Sequence, residues 1–295
     1  MMKRTKIRWI AGALSAVCCL SASRTNFAGD SDSVNATGLS WVVWHPGERR
    51  NVVDGSPQEP AYPVSGSSYF FAKDVEVPDN ALSEVEKAAG WKLLFDGKSL
   101  DGWHNFKKTD VRPGWQIKDG NLCCVDPHDA GDLCTKDQYA AFELQLDYTI
   151  SKGGNSGIMY HVIDKGGAVW ATGPEFQLED NVEAKDPVRC GWLYALYEPP
   201  IDSKTNKPLD ATKPVGEWNH VRLLISPEKC EHEINGVKYF EYVLGSDDFN
   251  ARVAKSKFAN MPDFAKSPTG YISLQGDHGQ VTFKNIKVRA IEAKK

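Results

Sequence analysis

Short strand-like runs separated by turn signals dominate the chain from Gly90 onward, and this pattern constrains the fold most strongly. Each run is rich in β-branched and aromatic residues, and little helical periodicity lies between the runs. The clearest runs are 116–125, 141–150, 157–163, 175–180, 192–197, 218–225, 230–234, 237–243, 271–274 and 281–291. Asn235-Gly236, between two of these runs, is a strong hairpin signal. Many short strands with few helices predict an all-β protein, an antiparallel β-sandwich or jelly roll.

The first 23 residues have the pattern of a secretory signal peptide. Four basic residues within positions 3–8 precede an apolar run, Trp9–Leu20, and small residues at 21–23 offer a cleavage site. The apolar run is too short for a transmembrane helix. Cys18 and Cys19 raise the alternative of a lipoprotein, but the residues before them fit a lipid-attachment site poorly. We therefore predict a bacterial secreted or periplasmic protein whose signal peptide is cleaved near Ser23.

The remaining chain divides by composition into a leader and a strand-rich domain. Residues 24–66 are rich in Ser, Gly, Asn and Pro, which predicts poor order apart from a short strand at Trp41–Trp44. Residues 81–89 can form one or two helical turns. We therefore predict a signal peptide over 1–23, a leader or linker with little regular structure over 24–89, and a β-sandwich domain over 90–295.

Charge and cysteine content exclude some classes of partner. The chain has 35 basic and 39 acidic residues, and loss of the signal peptide removes four basic residues, which brings the net charge to about −8. An acidic protein has no electrostatic reason to bind nucleic acid or anionic lipid. Five cysteines remain after cleavage, so one or two disulfides are possible in an oxidising compartment. A bond between Cys134 and either Cys123 or Cys124 is the plausible pairing, and no CxxC motif suggests zinc.

Alternation along the strands sorts the side chains onto two faces. One face is apolar, with members Phe142, Leu144, Leu146, Tyr148, Ile150, Ile158, Tyr160, Phe176, Leu178, Ile272 and Leu274. The other face carries polar groups, including Asn155, His161, Glu175, Gln177 and Gln275. These polar groups either meet water, as in many antiparallel sheets, or gather in a curved groove. Amide, carboxylate and aromatic groups together are typical of grooves that bind sugars.

The glycine-rich stretch at 153–157 requires its own explanation, because glycine is costly inside a strand. Gly153, Gly154 and Gly157 flank Asn155 and Ser156, just before the apolar Ile158. Either a sugar ring or a neighbouring loop lies against this backbone, or the glycines form a turn that sets strand register. The first explanation requires Asn155 to face the polar groove.

Six motifs in order carry a resemblance to a known family. They are GWKLLFDGKSLDGWHN, GGNSGIMYHV, TGPEFQLED, GEWNHVRL, INGVKYFEY and GYISLQGDHGQVTFKNIKVR, and they span residues 90–291. Together they resemble the 3-keto-disaccharide hydrolase family of secreted bacterial proteins. The resemblance implies a concanavalin A-like or laminin-G-like β-sandwich and a hydrolase for glycosides whose sugar carries a ketone at C3.

The chemistry of such a substrate defines what the site must contain. A ketone at C3 acidifies the proton on C2, and its removal gives an enolate that expels the aglycone from C1. Water then adds to the enone, so the net reaction is hydrolysis. The site needs a general base, a group that stabilises the enolate oxygen and an acid for the leaving group.

Two residues are the candidate catalytic groups. Glu175 is the first choice for the base, although a carboxylate that only binds hydroxyls is an equal alternative. His161 shares the predicted face of Asn155 and can act as acid, base or oxyanion donor, because its ordinary pKa lies near neutrality. The alternative for His161 is a ring that only hydrogen-bonds a neighbour.

Six residues are candidate substrate-binding groups: Asn155, Gln177, Gln275, Asp180, Asp277 and His278. The three amides suit hydroxyl binding or enolate stabilisation. Asp180 lies on the opposite parity to Glu175 and joins the site only if the strand ends or bulges there. Asp277 and His278 belong to the QGDHG turn, which either borders the groove or is an ordinary turn.

Two other functions compete with a ketone-dependent hydrolase. A laminin-G-like sandwich can bind or adhere to carbohydrate without catalysis. A two-carboxylate glycosidase can use Glu175 and Glu179, but residues four apart on a flat strand lie about 13 Å apart, beyond the usual carboxylate spacing. The oxygen-rich groups could hold a divalent cation, yet no dedicated motif is present, so we predict no cofactor. The expected partner is a small oxidised carbohydrate.

Overall fold

The computed structural model describes residues 40–44, 63–64, 68–73 and 77–291, so the predicted signal peptide lies outside the described residues. The chain divides into two compact units between Val75 and Glu76. The first unit contains strands β1 (Ser40–Trp44), β2 (Pro63–Val64) and β3 (Ser68–Lys73). They form an antiparallel sheet in the order β1-β3-β2, and β1 contains the strand predicted near residue 41.

The second unit consists mainly of short strands. In chain order they are β4 (Trp91–Leu93), β5 (Trp103–Asn105), β6 (Trp115–Lys118), β7 (Asn121–Cys124), β8 (Leu133–Thr135), β9 (Phe142–Ile150), β10 (Asn155–Val162), β11 (Glu175–Glu179), β12 (Ile201–Asp202), β13 (Lys207–Pro208), β14 (Asn219–Ile225), β15 (Cys230–Ile234), β16 (Val237–Tyr242), β17 (Tyr271–Leu274) and β18 (Val281–Ala290). The helices are α1 (Glu84–Ala88), α2 (Pro127–Ala130) and α3 (Asp247–Ala254), with a 3₁₀ turn at Val169–Ala171.

Two antiparallel sheets build the sandwich of this unit. One has five strands in the order β11-β10-β17-β8-β5. The other has eight, in the order β16-β15-β14-β9-β18-β7-β6 with β4 added beside β18. The strands β12 and β13 form a separate two-stranded ribbon. The all-β antiparallel sandwich predicted from the strand pattern is confirmed.

The core between the sheets follows the predicted alternation. Leu144 and Leu146 of β9 join Ile158, Tyr160 and other residues of the opposite sheet in one buried cluster. In β9 the intervening positions from 145 to 149 are only partly buried, as expected of a strand with one core face. The apolar face is therefore the inner face, and the polar groups of β10, β11 and β17 lie on the outer side of the five-stranded sheet.

Two residue pairs with left-handed backbone conformations form turns: one is the predicted hairpin turn, and the other divides the strand predicted over 116–125 into two. Asn235 and Gly236 have φ values of 50° and 78°, which suit the tight turn between β15 and β16. The Asp119-Gly120 turn, with φ values of 51° and 76°, breaks the run 116–125 into the hairpin β6-β7.

The strand predicted at 192–197 does not form. Gly191 and Ala195 have φ values of 83° and 56°, and these left-handed residues fold the segment into turns. Only isolated bridges remain there, from Leu193 to Phe176 and Tyr197. The segment instead runs along β11, where backbone bonds join Gln177 to the chain at 191 and 192.

Residues 77–89 of the second unit are held to the eight-stranded sheet. Asn80 and Asn285 exchange two hydrogen bonds, from each backbone N–H to the other side-chain oxygen, at 2.7 and 2.8 Å. Helix α1 begins with a capping box in which Ser83 and Glu86 cap each other. The helical turn predicted within 81–89 is therefore present.

All five cysteines of the described region are free thiols, so the predicted disulfide is wrong. Strand β7, with Cys123 and Cys124, pairs with β18 in the eight-stranded sheet. Strand β8, with Cys134, pairs with β17 in the other sheet. The two strands belong to different sheets and do not pair. Within the described residues, no helix is both long enough and apolar enough to cross a membrane.

Candidate active site

The outer face of the five-stranded sheet carries a continuous row of paired residues. Glu175 pairs with Met159, Met159 with Ser273, Ser273 with Cys134, and Cys134 with His104. Cross-strand partners point to the same side of a sheet. Glu175 and His104 therefore mark the two ends of one face, about 19 Å apart at the usual strand spacing.

A second row lies beside the first and adds an amide and a carboxylate. The backbone N–H of Gln275 donates to the carbonyl of Gly157 at 2.9 Å. Asp132 stands opposite Gln275, because Leu133 pairs with Leu274 in the next position of each strand. This row places the Asp132 and Gln275 side chains on the same face as Glu175.

Gly157 provides the space that the Glu175 side chain occupies. A Cβ atom at Gly157 would lie 2.3 Å from Oε1 of Glu175 and 2.9 Å from its Cγ and Cδ. At such distances any side chain at this position would have to displace the Glu175 carboxylate. The backbone of the glycine-rich stretch is thus approached by a side chain of the neighbouring strand. The first two glycines belong to the turn, where Gly153 has a φ of 65°.

Burial dominates the electrostatics of Glu175, whose exposed fraction is 5%. Burial raises the pKa of Glu175 to about 8; Lys257 opposes this rise, Asp132 and Asp186 add to it, and His278 opposes it weakly. A carboxyl group with a pKa near neutrality can accept and release a proton in the working range of an enzyme. Strongly shifted carboxyl groups are also typical of functional sites.

Buried polar atoms without a hydrogen-bond partner in the described residues concentrate on this face. Five of them belong to its strands or to Asp132: Asp132 Oδ1, Gln177 Oε1, Glu179 Oε2, Ser273 Oγ and Gln275 Oε1. Buried polar atoms in folded proteins are nearly always paired. Gln177 and Glu179 lie under another protein segment, so Asp132 and Gln275 mark the part of the face where water or a ligand can complete the hydrogen bonds.

The QGDHG turn forms one rim of the face. His278 Nδ1 is hydrogen-bonded to Asp277 Oδ1, and this contact raises the pKa of His278. Burial raises the pKa of Asp132 to about 7, and the charge of Asp277 adds to the rise. The turn thus brings the His278 imidazole and the Asp277 side chain close to Asp132 and Glu175.

A lysine and a tyrosine form the other rim. Lys257 Nζ lies 3.8 Å from the centroid of the Tyr194 ring, and the Tyr194 hydroxyl donates to Asp186 at 2.7 Å. Burial lowers the pKa of Lys257, while Glu175 and Asp186 act in the opposite direction. The ammonium group is therefore near enough to Glu175 to favour its ionised form.

Asn155 lies on the same face, at the end near the QGDHG turn. It pairs with Glu179 across β10 and β11 and is partly exposed. A Cβ atom at Gly279 would lie 2.9 Å from the backbone nitrogen of Asn155, so the turn packs closely over this strand. Asn155, Glu175 and Gln275, all named from the sequence, therefore share one face.

Gln177 and Glu179 lie on this face as well, but other protein groups cover them. Gln177 is fully buried, and its Nε2 donates to the carbonyl of Val188 at 3.2 Å. The Glu179 side chain has no exposed area, and Arg189 Nη1 lies 3.3 Å from its Oε1. Both residues hold the segment that runs along the edge of β11, so neither is open to a substrate here.

His161 does not share the face of Asn155. The register shifts between Met159 and Val162, and His161 occupies this β-bulge with a φ of 54°. Its Nε2 lies 2.6 Å from the carbonyl oxygen of Ala140, and its ring lies 6.3 Å from that of Phe142. Burial lowers the pKa of His161. The structure therefore gives His161 the alternative role, a ring bonded to its neighbours at the edge of the core.

Asp180 also lies outside the site. Its two carboxylate oxygens accept hydrogen bonds at 2.9 Å from the backbone N–H groups of Gly153 and Val182. Burial acts to raise the pKa of Asp180, but these backbone bonds outweigh it and the pKa is lowered. Asp180 therefore fixes two turns and borders a separate cleft beside β9.

Comparison with known proteins identifies the family. Residues 90–289 match the model of the 3-keto-alpha-glucoside-1,2-lyase-like domain. A 3-keto-disaccharide hydrolase of Bacteroides thetaiotaomicron is 30% identical over 241 residues, which cover 70% of this chain and 80% of that protein. This chain belongs to the 3-keto-alpha-glucoside-1,2-lyase-like family.

Two crystal structures resemble this family member over nearly their whole length. Both are of candidate glycosyl hydrolases from Parabacteroides distasonis. The first has a TM-score of 0.65 and 34% identity, with 73% of this chain and 100% of that chain covered. The second has a TM-score of 0.52 and 28% identity, with 68% of this chain and 99% of that chain covered. The sandwich fold of this family member is therefore shared with these structures.

The sequence analysis did not identify three residues of the candidate site, Asp132, Lys257 and Tyr194. Asp132 alternates with Leu133 and Cys134, so the parity argument could have found it, but β8 is too short to be recognised as a strand. Lys257 lies in an irregular segment without a periodic signal, and Tyr194 lies in the run 192–197, which we predicted as a strand and which folds into turns. Across the described ranges, no group of three or more His, Cys, Asp or Glu side chains could hold a metal ion.

Proposed function

We propose that this family member is a secreted hydrolase that cleaves glycosides oxidised to a ketone at C3. The base takes the proton from C2, and the electron pair left there forms the enolate of the C3 ketone. The enolate then expels the alkoxide from C1 and leaves a double bond between C1 and C2. Water adds at C1 and a proton returns to C2, which completes hydrolysis without an oxocarbenium ion.

Glu175 is the general base in this proposal, and its position over Gly157 is the observation that carries it. Its carboxylate is buried, its pKa is raised to about 8, and it lies on a face with unpartnered polar atoms. A carbon acid requires a stronger base than an exposed carboxylate supplies, and desolvation provides that strength. Lys257 keeps part of the Glu175 population ionised near neutral pH.

Asp132 and Gln275 stabilise the enolate oxygen. The pKa of Asp132 is raised to about 7, so near neutral pH a large fraction is protonated and can donate a hydrogen bond. Gln275 stands opposite Asp132 and is 6% exposed, and its amide adds a second donor. Fixed donors aimed at a developing oxyanion contribute about 10²–10³ in rate each.

His278 is the acid for the leaving group. Its hydrogen bond to Asp277 raises its pKa, so a proton is held at the rim where an aglycone departs toward solvent. The histidine and Glu175 serve as separate acid and base in this proposal, as the elimination requires.

The contacts of Glu179 count against the two-carboxylate alternative. Its side chain has no exposed area and pairs with Arg189, so it offers neither a nucleophile nor an acid to a substrate. A non-catalytic carbohydrate-binding sandwich would need no carboxyl group with a pKa near 8, and the family match favours an enzyme.

Matched substrates test the proposal. A 3-keto disaccharide and its unoxidised parent are offered to the wild type, to Glu175→Gln and to the control Glu241→Gln, an exposed residue of the other sheet. We expect turnover of the ketone alone, and a loss of about 10³-fold or more in Glu175→Gln only. Equal turnover of the unoxidised sugar, or full activity in Glu175→Gln, would overturn the proposal.

A further inference from the structure

The Lys257 side chain lies among three aromatic rings beside Glu175. Its ammonium nitrogen is 3.8 Å from the ring centroid of Tyr194, 5.2 Å from that of Phe258 and 5.6 Å from that of Trp170. An ammonium group is attracted to the negative faces of aromatic rings. The three rings and Lys257 therefore form an aromatic rim next to the candidate base.

Trp170 continues this aromatic rim along the outer face of the five-stranded sheet. Its ring packs on a buried cluster that contains Met159, the cross-strand partner of Glu175, and it stays partly exposed. A Cβ atom at Gly173 would lie 3.3 Å from the Cβ of Met159, so the segment after Trp170 lies close to this strand. The Glu175 carboxylate extends the other way, over Gly157. The aromatic rim therefore borders Glu175 on the side away from Gly157.

The proposed function leaves one edge of the sugar ring for the aromatic rim. Asp132 and Gln275 bind the oxygen on C3, and His278 protonates the oxygen on C1, so the edge from C1 to C3 faces these three residues. The atom opposite C2 in a pyranose ring is C5, which carries the hydroxymethyl group of a hexose. This group therefore points away from His278 and toward Trp170 and Lys257.

The chemistry of the aromatic rim suits a hydroxymethyl group. The partly exposed ring of Trp170 offers an apolar surface on which the C–H groups of C5 and C6 can pack. The ammonium group of Lys257 carries three N–H donors, and the aromatic faces around it leave them free for a hydroxyl oxygen. Glu175 and Asp186 lie near enough to act on the charge of Lys257, so the aromatic rim carries no excess positive charge that would call for an anion.

We propose that Trp170 and Lys257 are specificity-determining residues that bind the hydroxymethyl group on C5 of the ketone-bearing ring. This assignment rests on the proposed function, because that function fixes which edge of the ring faces His278. Trp170 packs on C5 and C6, and Lys257 donates a hydrogen bond to the hydroxyl on C6. The enzyme therefore cleaves 3-keto hexopyranosides in preference to 3-keto pentopyranosides, which lack this group.

A 3-keto glucoside and a 3-keto xyloside with the same aglycone test the assignment, because they differ only in the hydroxymethyl group. Their reacting atoms are identical, so a change in the pKa of Glu175 affects both substrates and cancels in the ratio of their kcat/KM values. We expect a ratio of about 10 or more in the wild type and of about 1 in Trp170→Ala and in Lys257→Gln. The Lys257 side chain is exposed, so this variant keeps the test valid if Trp170→Ala, which uncovers the buried cluster, fails to fold.

Trp218→Ala and Lys92→Gln are the matched controls. Trp218 is a partly exposed tryptophan whose ring centroid lies 4.6 Å from the ammonium nitrogen of Lys284, just before a strand of the eight-stranded sheet. Lys92 is an exposed lysine of β4, in the same sheet. Both controls should keep the wild-type ratio.

NMR titration with methyl glucoside and methyl xyloside separates the assignment from the proposed function, because neither ligand carries a ketone. We expect methyl glucoside to bind about 10-fold more tightly in the wild type and the controls, and both ligands to bind equally in Trp170→Ala and Lys257→Gln. Equal binding in the wild type, or a preference that survives in either variant, overturns the assignment, even if a 3-keto disaccharide is cleaved. The expected binding preference without cleavage of any 3-keto substrate refutes the proposed function and leaves the binding of the hydroxymethyl group standing.

Discussion

Gly157 and Glu175 lie on neighbouring strands, and the Glu175 carboxylate fills the space that a side chain at position 157 would occupy. Any Cβ at position 157 would lie 2.3 Å from Glu175 Oε1. The glycine-rich stretch therefore allows the Glu175 carboxyl group to lie flat against the sheet, next to Gln275 and Asp132. The chemistry proposed for the family member depends on this placement.

Gly157→Ala is expected to lower activity far more than stability. The new methyl group displaces the Glu175 carboxylate, and an error of about 1 Å in a reacting group costs about 10² in rate. The side chain can rotate away, so we expect the free energy of unfolding to stay within about 1 kcal/mol of the wild type. Kinetics of 3-keto disaccharide cleavage and urea denaturation check the two effects.

Gly167→Ala is the matched control for this substitution, since a Cβ at Gly167 meets no atom within 4 Å. It should leave both activity and stability near the wild type. Undiminished activity in Gly157→Ala would show that the carboxylate position does not matter for the reaction.

The net stability of the protein should fall as pH rises from about 6.5 to 8, because the opposing effect of the buried His232, whose pKa is lowered to about 3, ends near pH 6.5. Glu175 has a folded pKa of about 8, above its ordinary value of 4.5, so the folded state keeps a proton that the unfolded state releases. This contribution of Glu175 is fully present below pH 4.5 and is lost as pH rises through 8, by a few kcal/mol. Asp132 and Glu179 act in the same direction.

Glu175→Gln isolates the contribution of Glu175 to this slope. We expect the variant to be more stable than the wild type, by a margin that grows from pH 5 to pH 9 in urea denaturation. Glu241→Gln, in which an exposed carboxylate is removed, should follow the wild-type curve. A margin independent of pH would mean that Glu175 is not the titrating group.

Asp132→Asn is expected to reduce kcat by about 10-fold, because its amide donates a weaker hydrogen bond to the enolate oxygen than the protonated carboxyl group it replaces. The charge of Asp132 also raises the pKa of Glu175, so the acid limb of the kcat/KM profile should shift to lower pH. The pH dependence of cleavage checks both effects, with the exposed Asp101→Asn as control. An unchanged profile would remove Asp132 from the site.

His278→Gln should slow cleavage more for a substrate whose leaving group is more basic. An alkoxide needs the proton that His278 supplies, whereas a nitrophenolate leaves without it. We expect a loss of about 10²-fold on a 3-keto disaccharide and little loss on a 3-keto nitrophenyl glycoside. The exposed His128→Gln serves as control, and equal losses on both substrates would argue against an acid role.

Strand alternation was sufficient to predict the fold and half of the site, because the period of two holds wherever a strand is regular. It places Asn155, Glu175 and Gln275 on one face, and the pairs of β10, β11 and β17 join them. It failed at His161, where a bulge adds one residue and turns the side chain to the edge of the core. A bulge of this kind has no signal in a single sequence.

Packing between segments that are distant in the sequence explains the other differences between the predicted and the observed site. Gln177 lies on the predicted face, but the segment at 188–194 covers it, and parity says nothing about what packs on a face. Asp132 lies at the start of a three-residue strand, and Lys257 follows a helix in an irregular segment. Their proximity to Glu175 results from long-range folding, which no local pattern encodes.

The fate of the hydrogen on C2 tests the central claim most directly. A 3-keto disaccharide is cleaved in D₂O by the wild type, and the product is examined at once by NMR beside an enzyme-free sample of the same product. Removal of the C2 proton predicts solvent deuterium at C2 of the product above the enzyme-free level, and slower cleavage of a substrate that carries deuterium at C2. Product that retains hydrogen at C2, together with equal cleavage rates for the C2-protium and C2-deuterium substrates, would contradict the account, because the glycosidic bond would then break without the enolate.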